Sequence, residues 1–204
     1  MLSLYKTSLF SLIRYFHYSF KNYIKRINKD ERSKFKLDSH LKQVLIGTIL
    51  GDVHFRRFSK KANVRVVFRQ GSKNSSYLLH LYDLFQEFVL APPAISSSID
   101  KGKIKHSISF ATLCLPCFNE FYDTFYLNGR KIIPLNISDL LTPVSLANWI
   151  MDDGSLSGSG LKLHTNAFTL EELNLLIKSL EQNFSIKATL NIANREKSQY
   201  SIYI

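Results

Sequence analysis

Leu146-Ala147-Asn148-Trp149-Ile150-Met151-Asp152-Asp153-Gly154 decides how this chain is read. Thr142-Pro143 stands just before it, a side-chain cap followed by a proline at the first helical position. An apolar helical turn or two then ends in acid. Far upstream, Leu45-Ile46-Gly47-Thr48-Ile49-Leu50-Gly51-Asp52 has the same shape. Asp38 and Ser39 are good N-caps for that earlier helix. Gly47 and Gly51, four apart, bare the backbone along one face. Glycine inside a helix costs stability, and close approach of a second helix supplies the reason. The two segments therefore predict paired helices that bring Asp52 and Asp153 side by side.

After each acid the apolar period changes from helical to two. Val53–Phe58 and Val64–Gln70 read as strands, with Val64, Val66 and Phe68 on one face and Arg65, Val67 and Arg69 on the other. A helix over 77–90 follows, stopped by Pro92-Pro93. Lys101, Lys103, Lys105, Ser107 and Ser109 alternate with Ile104, His106, Ile108 and Phe110. A further helix is expected near Leu115–Tyr126. In the second half, 154–160 reads as a Ser/Gly turn. Leu161, Leu163 and Thr165 then face inward, against Lys162, His164 and Asn166. Thr169-x-x-Glu172 is a capping box opening a helix. Ile186, Ala188, Leu190 and Ile192 alternate with Lys187, Thr189 and Asn191, and a strand covers 199–204. Helix, two strands, helix, strands occurs twice, an internal repeat.

The net charge is +11, from 27 Lys+Arg against 16 Asp+Glu. Such an excess fits a polyanionic partner. Few acids fall on the polar strand faces, which separates them from ordinary solvated sheet. Arg56, Arg65, Arg69, Gln70, Lys101, Lys103, Lys105, Lys162, His164, Asn166 and Lys187 are the candidate nucleic-acid contacts. Most would hold phosphates; side chains two residues apart on a ribbon reach base edges. Two carboxylates at neighbouring helix C-termini, where the dipoles add negative potential, call for a cation. Oxygen-only ligation suits Mg²⁺, which promotes phosphodiester hydrolysis.

Residues 1–37 form a separate basic zone, with no acid before Asp30. An amphipathic transit peptide, a basic arm on nucleic acid and the remnant of a longer reading frame all fit. No apolar run reaches the roughly 18 residues of a membrane span. Cys114 and Cys117 make one Cys-x-x-Cys pair, half of a structural zinc site, and read as small packing residues. The abundance of Phe, Tyr, Lys, Ile and Asn suits an A/T-rich, organellar genome.

The two motifs, together with "LTPVSLANWIMDDGS", "LKLHTNAFTLEE", "YDLFQEFVLAPP" and "KIIP", resemble the LAGLIDADG homing endonucleases, in the single-chain branch that includes the yeast mitochondrial omega-intron enzyme. The resemblance spans roughly 38–204. It implies an α+β pseudodimer of two αββαββ(α) halves, 38–140 and 141–204, with DNA in a saddle of antiparallel strands. It implies Mg²⁺ held by Asp52 and Asp153, and a basic active-site residue at Lys131. Gln70 and Asn166 match strand-end polar positions. The chain ends at Ile204, before a second-half equivalent of Lys131, so the last helix of that half is expected to be missing.

The expected function is Mg²⁺-dependent, site-specific cleavage of double-stranded DNA, by a monomer, in a mitochondrion. Two alternatives stay open. One is an RNA-binding structural component of a mitochondrial ribosome. The other is an intron maturase.

Overall fold

The computed structural model describes residues 27–100, 102–197 and 199–204. The basic stretch 1–26 and Lys101 lie outside the described residues. The described residues form two compact units, 27–35 with 56–116, and 36–55 with 117–204.

In the first unit, α1 (Lys29–Ser33) is closed by a capping box between Asn28 and Glu31. Arg32 Nη1 donates to the Cys114 carbonyl at 3.0 Å. Strands β2 (Arg65–Gly71), β3 (Ala94–Asp100) and β4 (Lys103–Ala111) form an antiparallel sheet. Its order is β1-β2-β4-β3, with β1 (His54–Arg56) entering at Arg56. The register pairs Phe68 with Phe110 and Arg69 with Ser109. Helix α2 (Ser39–Leu50) belongs to the other unit; α3 (Ser75–Phe85) covers the apolar face here. Leu78, Leu81 and Phe85 are buried there, and the Phe68 ring stacks on Phe110 at 4.6 Å.

In the second unit, α2 (Ser39–Leu50) is capped by Asp38, whose carboxylate accepts the Leu41 N–H at 2.7 Å. Next come α4 (Asn119–Phe125), the two-residue hairpin β5 (Tyr126–Leu127) and β6 (Arg130–Lys131), and α5 (Ile137–Leu140). Helix α6 (Pro143–Asp153) has Thr142 as its cap, as the sequence requires. Strands β7 (Gly154–Ser157), β8 (Gly160–Leu163), β9 (Thr189–Asn194) and β10 (Gln199–Tyr203) follow the order β7-β8-β10-β9. This repeats the order of the first sheet. Helix α7 (Leu170–Phe184), opened by the Thr169–Glu172 box, buries Leu173, Leu176 and Leu180.

The topology is thus α+β, an αββαββ unit used twice. Three local departures from the sequence reading have simple causes. The helix over 77–90 stops at Phe85 and tightens into a 3₁₀ turn at Gln86–Phe88, before the prolines. Residues 94–100 form β3, although exposed throughout. Pairing with β4, not burial, orders them. Half of the Ser/Gly stretch becomes β7, because its backbone pairs with β8.

Candidate active site and nucleic-acid-binding faces

Helix α6 packs against the glycine face of α2. A methyl group at Gly47 would lie 2.2 Å from the Ser145 carbonyl oxygen and 2.8 Å from Asn148 Cβ. At Gly51 it would meet Asp152 Cβ at 2.4 Å. The glycines are therefore the condition for the helix ends to meet, as small residues are wherever backbones pack this closely.

The meeting gathers Asp52, Asp152, Asp153 and Lys131. Asp52 donates its backbone N–H to Asp152 Oδ2 at 3.3 Å. Lys131 Nζ donates to the Gly51 carbonyl at 2.7 Å, capping the C-terminal end of α2. The hairpin that delivers Lys131 turns through Asn128 (φ 51°) and Gly129 (φ 80°), an Asn-Gly turn whose two left-handed residues suit a tight hairpin. Its register sets Lys131 opposite Tyr126.

Crowding perturbs these groups. Burial, then the Asp52 charge, raises Asp152 to about 8; Lys131 opposes the shift. The same two causes raise Asp153 to about 7, again opposed by Lys131. Burial lowers Lys131 to about 8 against the pull of Asp153, Asp152 and Asp52. Shifts of this sign mean that the site disfavours ionising both carboxyls, a cost that a bound cation would relieve. The donors are all oxygens. Among the described residues no three His, Cys, Asp or Glu side chains are grouped so as to hold a metal ion by themselves. An all-oxygen donor set of this kind suits a hard divalent cation.

Asp152 is the residue the sequence reading passed over. It stands at the position matching Gly51 in the other motif, and fills the notch that Gly51 leaves. The doubled Asp152-Asp153 opposite a glycine was the available signal.

The polar strand positions divide cleanly. In the first unit Arg65, Arg69, Lys103 and Lys105 share one face of the sheet with Ser107 and Ser109. Lys105 is ion-paired with Asp100 on the same face. Arg56 is exposed on β1. Gln70 departs from its expected place: alternation puts it with Val66 and Phe68, buried, its Oε1 accepting from Asn74 at 3.4 Å. In the second unit Lys162 shares a face with Ser155, Thr189 and Tyr203. His164 and Asn166 are exposed beyond β8, with His164 Nε2 2.9 Å from Ser155 Oγ. Lys187 is exposed just before β9. Cys117 is pushed up to about 11 by burial, which makes it an inert thiol.

A duplicated αββαββ fold whose motif helices meet through glycines and end in acid defines the homing-endonuclease class. A family model described as the LAGLIDADG DNA endonuclease family matches residues 42–204, and the chain belongs to that family. It is 35% identical over 172 residues to the cytochrome b mRNA maturase bI2 of Debaryomyces hansenii, covering 82% of this chain and 65% of that protein. It is 33% identical over 178 residues to the maturase bI2 of Saccharomyces cerevisiae, covering 82% of this chain and 42% of that one. The chain thus spans less than two thirds of either relative. Among solved structures, the homing endonuclease I-WcaI bound to its DNA recognition sequence aligns with a TM-score of 0.79. The identity is 27%, over 89% of this chain and 84% of that one.

Proposed function

We propose that this protein is a divalent-metal-dependent endonuclease that cleaves double-stranded DNA at a specific site. The convergence of Asp52, Asp153 and Lys131 at a glycine-packed helix pair carries the reading. Asp52 and Asp153 would hold Mg²⁺, which supplies charge stabilisation at the scissile phosphate. Lys131 is held at the edge of this cluster by the Gly51 carbonyl. With a pKa near 8, it can take the proton of an attacking water or, charged, offset the developing charge. The basic strand faces would grip phosphates of the duplex. The DNA-bound state of I-WcaI supports duplex DNA as partner.

Cleavage of intronless junction DNA in Mg²⁺ tests this. Asp52→Asn and Asp153→Asn should each lower the rate by about 10²–10³-fold or more, with DNA binding retained. Wild-type rates from Asp153→Asn would overturn it.

Similarity to two maturases favours a second role, binding intron RNA. It also supports a mitochondrial home, in line with the residue usage. RNA that co-purifies with the native protein discriminates: intron RNA supports maturation, and stoichiometric ribosomal RNA would instead make the protein a ribosomal component.

A further inference from the structure

Lys131 reaches the carboxylates from a hairpin of only two residues per strand. So short a ribbon has little stability of its own, and something must fix it. Phe125 O accepts the Ile132 N–H at 2.8 Å, which ties one edge. The other tie is a single buried carboxylate. Glu172, on the first turn of α7, is 8% exposed. Its Oε1 accepts from Arg130 Nη2 at 2.8 Å and its Oε2 from Arg130 Nη1 at 3.3 Å. The same Oε1 lies 3.4 Å from the Ile133 N–H, and Oε2 accepts the Thr169 N–H at 2.7 Å. Lys131 is thus bracketed. Residue 130 before it and residue 133 after it both end on one carboxylate. Alternation along β6 sends Arg130 toward α7 and Lys131 toward Gly51.

A capping box needs only the Thr169 contact. The fork-to-fork pairing with Arg130 goes beyond it, and a bidentate guanidinium–carboxylate pair fixes orientation as well as distance. We propose that Glu172, acting through Arg130 and the Ile133 amide, is the positioning residue for Lys131. The claim about catalysis rests on the endonuclease reading above; the claim about geometry does not.

The geometric arm is lysine accessibility in metal-free, full-length protein. Reductive methylation is read by mass spectrometry at Lys131, with exposed Lys60 and Lys61 as internal standards. Glu172→Gln keeps an oxygen for the Thr169 cap and loses the ion pair. Arg130→Gln cuts the same link from the more exposed side. Both should raise Lys131 labelling by about tenfold, the signature of a locally opened segment. Thr169→Ala weakens the cap but leaves the clamp, and should leave Lys131 protected. Equal protection in Glu172→Gln and wild type would overturn the proposal. So would deprotection by Thr169→Ala as large as by Glu172→Gln.

The catalytic arm is cleavage under saturating DNA. Glu172→Gln should lower kcat by about 10–100-fold, the usual cost of a catalytic group displaced by about an ångström, with DNA affinity unchanged. In a Lys131→Met background the same substitution should add nothing further, because both remove one function. Additive losses would overturn the link to Lys131. If wild-type protein cleaves no DNA, the endonuclease reading fails and the labelling arm alone decides the positioning.

Discussion

Gly47→Ala is the sharpest test of the helix pair. The new methyl carbon would sit 2.2 Å from the Ser145 carbonyl oxygen, 2.9 Å from its carbon and 2.8 Å from Asn148 Cβ. An ordinary carbon–oxygen contact is about 3.3 Å or longer, so α6 must retreat by about 1 Å. Two of the three neighbours belong to backbone, and no rotamer change relieves them. Overpacking of this kind costs about 1–3 kcal/mol, and the backbone partner puts Gly47 at the upper end. Alanine returns about 1 kcal/mol through helix propensity. The net is about 1–2 kcal/mol of destabilisation, or a fall in Tm of about 2–8 °C for a chain of this size. Trp149, the single tryptophan, is fully buried on α6, and its fluorescence reports on this pair during urea unfolding. Gly71→Ala is the control, with nothing within 4 Å and an ordinary φ of −61°; it should stay within about 0.5 kcal/mol of wild type. A Gly47→Ala protein as stable as wild type would refute the close approach, and with it the route by which the carboxylates meet.

Stability should also track pH through the carboxylates. Asp152 and Asp153 are raised to about 8 and about 7, well above the ordinary carboxylate range, so the folded protein binds more protons than the unfolded chain across that window. Metal-free protein should therefore lose stability as pH rises from about 4 to about 8. Lys131, lowered to about 8, acts in the opposite sense above that pH. Thermal melts in EDTA should show the decline, Asp153→Asn should flatten it, and Mg²⁺ should stabilise more at pH 8 than at pH 5. Leu45→Ala, at a site with 0% exposure, should cost about 2–5 kcal/mol by denaturant titration. Arg69→Ala and Lys162→Ala should weaken DNA binding on all sequences alike, each reducing the salt slope by about one. A preserved slope would remove those side chains from the phosphate contacts.

Much of the candidate site is legible in the sequence. Asp38 and Thr142 announced the starts of α2 and α6, because capping is local chemistry. Gly47 and Gly51 announced a close neighbour, because mid-helix glycine is otherwise a cost. Lys103, Lys105 and Lys162 announced polar strand faces through their alternation. Strand β3 was not legible, since Ser96, Ser97 and Ser98 have no apolar period and are exposed on both faces. Helix α5 was too short for a period. Gln70 looked like a surface group and is buried, because strand alternation overrides side-chain polarity.

What the sequence determined by itself was everything set by near neighbours: caps, periods, the repeated order of elements, and an acid at the end of each motif helix. Tertiary structure alone decided which of those groups share a site. It brought Asp152 into the notch of Gly51, and Lys131 to the end of a helix eighty positions earlier, where it donates to the Gly51 carbonyl. It set Glu172 against Arg130 and the Ile133 amide. The raised carboxylates and the lowered lysine follow from that gathering. Burial and mutual repulsion act through space, and a linear pattern holds no distances.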